Sequence, residues 1–518
     1  VARFRVVTKH QVSGWRFLFR RIEHALVRRD PSMIDDPQRG RSTALTVGVA
    51  IVCIVIAGAA VMAFLKPAKK AGDSKILADK ETGALYVRIG PRLHPALNLT
   101  SARLIIGSPD KPAQVTRDEL AKFPRGGWVG IPGAPGAIVD TAEQDSSWTV
   151  CDAASGGAAA PVDPRTGLPT VALSAVRTTV IGGALTIDGA DIRRQAEGEA
   201  RLMRDDRTTW LVYTDGDRGA VRAEIDLSDT AVVLSLGIDS AAPVLAVSRG
   251  LINALPEAPP LRAPAIPGAG EIVTLSSGLT TKVGAVVATS VPGQEIAQFI
   301  VTRSGLIRAS TVVASMVRNA EQDGAATTAT VSPAVVATNL RPGSLPGTDS
   351  FPSRPVHIAE PGPAEVTCMH WSRSSGDPRA ATELLTGTRL PLTVQERQRT
   401  VDLVTSGASE GTTATAAYLP RDTGRFVQVT GVDQDSPLRT SLFWISDSGV
   451  RYGVVAELGR SSPDPTLTAL ALREPVLAPW NVISLFAVGP SLSQDDAKIA
   501  HDGIPADKAG VGFGGGQP

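Results

Sequence analysis

Twenty-three consecutive residues without a charge, TALTVGVAIVCIVIAGAAVMAFL from Thr43 to Leu65, constrain this chain more than any other stretch. As a helix they would span about 35 Å, enough to cross a hydrocarbon core of about 30 Å. A cleaved signal peptide would have a shorter apolar region and a small-residue cleavage site soon after it. Here the run meets KPAKK (66–70) instead. A core helix of a soluble domain would keep a polar face, and this run is apolar all round. The expectation is therefore a single-pass transmembrane helix over Thr43 to Leu65. No other stretch approaches 18 apolar residues, so the reading is one span and no pore.

Residues 1–42 carry ten Lys/Arg against four Asp/Glu. Lys66, Lys69, Lys70 and Lys75 follow the span, a smaller basic excess, so the Lys/Arg bias places the N-terminus inside and the large C-terminal part outside. Within the basic segment, Val12, Trp15, Phe19, Ile22 and Leu26 fall at helical spacings of three and four and form one apolar stripe. Arg16, Arg20 and Arg21 border it. Such a helix can lie against anionic headgroups with its aromatic rings at the interface. It can equally pack on a partner's cytoplasmic domain. The spacing does not separate the two.

The remaining chain is too long for one core. Gly and Pro together number 88 of 518 residues, and aromatics are 4%, which favours short elements joined by many turns. Runs such as WLVYTD (210–215), AVVLSL (231–236), GAVVATSV (284–291), RFVQVT (425–430) and SLFWIS (441–446) read as strands. PEAPPLRAPAIPG (256–268) and RPGSLPGTDSFPSRP (341–355) read as extended connectors, and GVGFGGGQP at the end as a disordered tail. The fold class expected is mainly β with short helices (α+β). An internal repeat is suggested by an aromatic strand and an Asp turn (Asp215, Asp447). A Leu-Gly…Pro spacing (Gly237 to Pro243, Gly459 to Pro465) and a closing apolar helix add to it. Weaker copies lie at 85–106 and 272–320.

Three cysteines occur. Cys53 lies in the span. Cys151 and Cys368 both lie on the outer side, where disulfides persist. A bond across their 217-residue separation would stabilise the fold by about 4–5 kcal/mol in the chain-entropy account. Cys368-Met369-His370 invites a metal reading, but six histidines and no CxxC argue for the disulfide instead.

No GxxxxGK[ST] phosphate loop and no HExxH helix occur. We identify no nucleophile elbow and no serine–lysine pair, and His94, His357 and His501 stand alone. The expectation is a protein that is not an enzyme, with no catalytic residue, cofactor or metal. The net charge of +1 implies no nucleic-acid partner.

The blocks QVSGWRFLFRRIEHALVRRD (11–30), LHPALNLTSARLIIG (93–107) and RYGV, LGR and VLAPWNVISLFAVGPSLS within 451–493 resemble EccB. This is a core membrane component of the type VII (ESX) secretion machinery of mycobacteria and relatives; the resemblance leans toward the ESX-3 member and leaves open which of the parallel ESX systems the chain serves. The resemblance runs end to end. It implies an inner-membrane location and an elongated periplasmic domain of four pseudo-twofold repeats around a central β domain. It also implies a disulfide in that central domain, matched by Cys151 and Cys368, and self-association of the periplasmic domain into dimers. The implied partners are EccC (an FtsK-like ATPase), EccD, EccE and the mycosin protease. On this basis the expected divisions are a cytoplasmic segment 1–42, the span 43–65, a linker 66–84 and repeat 1 at 85–120. The first segment of the central domain then covers 121–205, repeat 2 206–265 and repeat 3 272–325. The second segment of the central domain covers 326–440, repeat 4 441–495 and a tail 496–518. An envelope-binding sensor and a tethered periplasmic hydrolase are the competing readings.

Overall fold

The computed structural model describes residues 8–29, 38–64, 71–141, 143–154, 176–205, 208–293, 295–320, 328–362, 365–404, 413–459 and 462–503. The chain divides into two units, Val1–Lys70 and Ala71–Pro518.

The first unit contains two helices, α1 (Lys9–Arg28) and α2 (Gln38–Phe64). The Gln11 side chain accepts from the Thr8 N–H (3.0 Å), which satisfies one orphan donor at the start of α1. α1 ends where Arg29 turns left-handed (φ 56°) and donates to the Ala25 carbonyl. α2 starts five residues before the expected span, and Leu65 lies outside the described residues.

In the second unit one order of elements recurs four times. A three-stranded antiparallel meander is followed by a helix and a strand parallel to the first meander strand. A second helix and a segment parallel to the third strand complete it. The helices supply the crossovers that parallel pairing needs. Repeat 1 is Ile76–Asp79, Leu85–Ile89 and Arg92–Pro95, helix Leu99–Ile106, strand Ala113–Val115, helix Arg117–Leu120 and a parallel bridge from Arg125 to Leu93. Repeat 2 is Glu199–Arg204, Thr209–Asp215 and Gly219–Ile225, helix Thr230–Leu236, strand Val244–Ala246, helix Arg249–Ala254 and strand Glu257–Leu261. Repeat 3 follows the same plan from Val286–Thr289 to Leu340–Arg341, and repeat 4 from Gly424–Thr430 to Ala487–Val488.

The unit also contains a seven-stranded sheet. Its order is Val401–Asp402, Ala416–Tyr418, Val176–Gly182, Ser146–Ala154, Val366–Arg373, Ala381–Gly387 and Ile192–Arg194. Side-chain alternation gives it two buried faces. Trp148, Val150, Met369 and Trp371 join a core with Met203, Val212, Leu251 and Ile252 of repeat 2 and with Val427, Ile445, Val482 and Phe486 of repeat 4. Cys151, Cys368, Ile181 and Leu385 fill the other face. Repeats 2 and 3 share a core through their first helices, and repeats 1 and 4 do the same through Leu99–Ile106 and Pro465–Leu470.

Several expectations are corrected. AVVLSL is a helix: the Asp229 side chain accepts from the Ala231 and Val232 N–H groups, Gly237 ends the helix at φ 72°, and Val232, Ser235 and Leu236 are buried on one side. These local caps overrode the β-branched composition. The matched Leu-Gly…Pro spacing is a coincidence. Gly237 follows the first helix of repeat 2, whereas Gly459 precedes that of repeat 4, and Pro465 is that helix's first residue. Within PEAPPL, Glu257–Leu261 is an edge strand of repeat 2, where Pro259 and Pro260 are exposed and Ala258 and Leu261 are buried. In 341–355, Leu345 and Phe351 belong to repeat 2's core.

The divisions shift accordingly. The expected linker contains the buried strand Ile76–Asp79, and the strands of repeats 2 and 4 begin at Glu199 and Gly424, inside the expected central-domain segments. Repeat 3's sheet runs to Arg341, past 325. The start of the expected tail is packed, with Ala500–His501 paired to Trp128–Val129. GVGFGGGQP lies outside the described residues.

Candidate membrane and assembly interfaces

α1 presents Val12, Trp15, Phe19, Ile22 and Leu26 along one exposed stripe. The Trp15 and Phe19 rings lie 5.5 Å apart, one turn from each other. Arg16, Arg20 and Arg21 are exposed as well. Within α2, Thr43–Val61 has mean hydropathy 2.7 and none of it is buried, so its length and composition suit a bilayer.

Cys151 and Cys368 are disulfide-bonded and fully buried. They face each other directly across the antiparallel strands Ser146–Ala154 and Val366–Arg373, with Cα atoms 4.0 Å apart. The bond therefore staples the two central strands that the whole of repeats 2 and 3 separates in sequence. His370, proposed above only to be set aside as a ligand, lies on the same face and is bonded to the Thr149 hydroxyl (2.9 Å). Burial pushes its pKa down, which keeps the ring neutral. His94 and His501 hold the Gly127 and Gly130 carbonyls (3.1 and 2.9 Å), and His357 pairs with Glu199 in an edge strand.

Two junctions carry buried charge. Asp152 follows the disulfide and points to the other face. It accepts from the Ser248 N–H (2.6 Å), the Ser248 hydroxyl (2.9 Å) and the Thr178 hydroxyl (2.8 Å), joining the central sheet to the N-cap of helix Arg249–Ala254. Burial pushes its pKa up to about 6 against the pull of those donors. Arg201 of repeat 2 pairs with Glu365 at the head of the central strand, and both are buried. Sequence reasoning found neither junction, because nothing local marks partners 96 and 164 residues apart.

Asp152 gives a pH prediction. Its folded pKa lies above its unfolded one. The protonation-linked part of its contribution is therefore complete below the ordinary carboxylate range near 4 and is lost as pH rises through about 6. The stability difference between the wild type and Asp152→Ala, measured by urea unfolding, should be larger at pH 5 than at pH 7. At pH 7 the variant should still lose about 2 kcal/mol, because three donors lose their acceptor.

Clefts of about 590, 610 and 340 Å³ open on the second unit. The first is lined chiefly by Leu202, Leu227, Val233, Leu234 and Ile238. The second lies between the second helices of repeats 2 and 4, with Arg249, Asn253, Arg451, Trp480 and Asn481. Trp480 stacks on Phe443 at 5.7 Å and also borders the third cleft. Arg451 donates to the carbonyls of Ile483, Ser484 and Phe486, so its charge serves to cap the chain. Among the described residues no group of three or more His, Cys, Asp or Glu could hold a metal.

Contrary to the reading above, two strings match bare hydrolase patterns: Ser108-Pro109-Asp110-Lys111 (SxxK) and Gly407-Ala408-Ser409-Glu410-Gly411 (GxSxG). Ser108 donates its hydroxyl to Asp110 (2.5 Å) in the turn after helix Leu99–Ile106, not to a lysine. The second string lies outside the described residues.

The family model of the type VII secretion system ESX-1 transport TM domain B, EccB, matches residues 4–506. The chain belongs to the EccB family. It is 40% identical over 505 residues to a Mycolicibacterium smegmatis protein named ESX-3 secretion system ATPase EccB3, covering 96% of this chain and 91% of that one. To the ESX-1 secretion system ATPase EccB1 of Mycobacterium tuberculosis it is 36% identical over 511 residues, covering 97% and 96%. Its structure is similar to a chain of an intact ESX-5 inner membrane complex (TM-score 0.71, 32% identity, 99% of both chains). It is also similar to a chain of the EccB3 dimer from the ESX-3 core complex (TM-score 0.68, 37% identity, 82% of this chain and all of that one). The EccB fold thus accounts for the repeats and central sheet together.

Proposed function

We propose that this chain is a structural core subunit of an inner-membrane type VII secretion complex. α2 anchors it, the N-terminus is cytoplasmic and the repeats form a periplasmic scaffold that self-associates. EccC, EccD, EccE and the mycosin protease are its proposed partners. The similarity to a chain of an intact inner membrane complex over 99% of both chains carries this reading. The arginine-bordered stripe of α1, Val12 to Leu26, is the proposed docking face on the cytoplasmic side, against headgroups or a partner's cytoplasmic domain. We assign no catalytic step. The relatives' names contain the word ATPase, but no Walker-type phosphate loop occurs in the sequence, so we do not carry nucleotide hydrolysis over to this chain.

The test is extraction of the tagged full chain in mild detergent. A species far above 53.9 kDa that carries an FtsK-like ATPase is expected. A lone monomer or dimer under several gentle conditions would overturn the reading and return the sensor and hydrolase alternatives.

A further inference from the structure

Charge is distributed unevenly along this chain. Residues 66–126 carry twelve Lys/Arg against six Asp/Glu, whereas residues 127–518 carry thirty against forty-one. The basic excess beyond the span is thus confined to the linker and repeat 1, and the geometry of repeat 1 concentrates part of it further. Its first strand, Ile76–Asp79, pairs antiparallel with Leu85–Ile89 so that Ile76 faces Val87, and the Arg88 N–H donates to the Lys75 carbonyl (2.8 Å). The chain therefore enters the repeat at the end of the sheet where the 88–92 hairpin turns.

That end is built from arginine and apolar side chains. The Arg88 guanidinium lies 5.1 Å from the Phe123 ring centre and donates to the Gly72 carbonyl (3.3 Å). Arg125 lies over Tyr86 at 4.4 Å, and Arg92 donates to the Arg125 carbonyl (3.0 Å). Lys75, Ile89, Arg92 and Arg125 are exposed. Three carboxylates lie toward this end: the exposed Asp73; Glu119, already engaged by Lys122 and the Ala71 N–H; and the exposed Asp110, which accepts from the Ser108 hydroxyl just before the parallel strand Ala113–Val115. The ion pairs among the described residues of this repeat are Arg117–Glu81 and Lys122–Glu119, so none of the three arginines at the entry end is neutralised by one.

We propose that this end of repeat 1 docks on anionic phospholipid headgroups of the leaflet from which the chain emerges. Seven residue steps separate Phe64 from Ala71, at most about 25 Å of extended chain. The covalent tether thus keeps the entry end near the bilayer, within reach of headgroups. Arg88 and Arg92 each spend one guanidinium nitrogen on a backbone carbonyl, and the five-donor fork leaves further N–H groups for phosphate oxygens, while Ile89 at the hairpin supplies a small apolar contact. The acidic remainder of the unit would be repelled by the same surface, which orients the repeat with this end down.

The inference rests on the placement of residues 71–503 beyond the span, but not on the secretion complex, so failure to co-purify leaves it standing. It is tested on the full chain carrying Cys53→Ser and Ile89→Cys, labelled with an environment-sensitive fluorophore at position 89. The protein is reconstituted into vesicles of phosphatidylcholine alone or with phosphatidylglycerol. The expected result is blue-shifted emission, quenched by spin-labelled lipid, in the anionic vesicles only and reversed by salt. Arg88→Gln, Arg92→Gln and Arg125→Gln together should lower the docked-to-undocked ratio roughly 100-fold, as expected for three lost charges at an anionic surface. Identical spectra in neutral and anionic vesicles would overturn the proposal, and that comparison uses one labelled protein throughout, so it does not depend on the arginine variants folding. Quenching that follows protein density rather than lipid charge would also overturn it, in favour of a second copy on this face.

Discussion

Replacing Cys151 and Cys368 together by alanine should lower the stability of residues 71–503 by roughly 2–5 kcal/mol. The two strands that carry them are paired from Ser146–Arg373 to Ala153–Val366, so the bond adds little to the folded alignment. Its main effect is on the unfolded chain, where it closes a loop spanning 217 residues. Repeats 2 and 3 lie within that loop, so reduction lets both of them expand in the unfolded chain. Alanine is the better replacement because serine would place a hydroxyl among Ile181, Ile192, Val366, Leu385 and Tyr418. The measurement is the urea midpoint of oxidised wild type against the variant. Reduced wild type should match the variant. A midpoint shift worth less than about 1 kcal/mol would mean that the central sheet holds its own alignment even in the denatured ensemble.

What the sequence made legible follows the range of each interaction. α1 and α2 were readable because their signals, a 3.6-residue stripe and an uncharged run, are complete within one element. AVVLSL was misread although its correction is equally local: Asp229 and Gly237 flank it as N-cap and C-cap. A better repeat signal was also present. Pro-Val-Leu-Ala occurs at 243–246 and again at 475–478, where it forms the strand between the two helices of repeats 2 and 4. The starts of repeats 1, 2 and 4 were placed late, and that of repeat 3 early at 272 rather than Val286, because each meander's first strand also pairs with residues far beyond it. In repeat 4, Gly424–Thr430 reads locally as a strand and pairs with Leu442–Ser446, but its place as the repeat's first strand depends on Val476–Pro479 lying parallel on its other side. The disulfide could be inferred from compartment and counting, whereas Asp152 and its Ser248 partner carry no such arithmetic.

The Arg201–Glu365 pair should show the other large effect, and its sign depends on what replaces it. Strand Glu199–Arg204 brings Arg201 from the repeat 2 sheet to Glu365 at the head of the central strand, and the Glu365 carboxylate also accepts from the Gly362 N–H (2.8 Å). Burial opposes both charges, pushing the Glu365 pKa up and that of Arg201 down. Arg201→Met should therefore cost about 3–5 kcal/mol, since it leaves a carboxylate buried without its partner. Glu365→Leu should cost a similar amount for the same reason with the charge reversed. The double variant Arg201→Met/Glu365→Leu removes both desolvation costs and should recover to within about 2 kcal/mol of wild type. A double-mutant cycle by urea unfolding reads this directly as a large positive coupling. Additive losses would mean that the neighbouring Arg193–Glu199 pair compensates each single change, Arg193 for a lost Arg201 and Glu199 for a lost Glu365. The junction would then hold repeat 2 to the central sheet by packing rather than by charge.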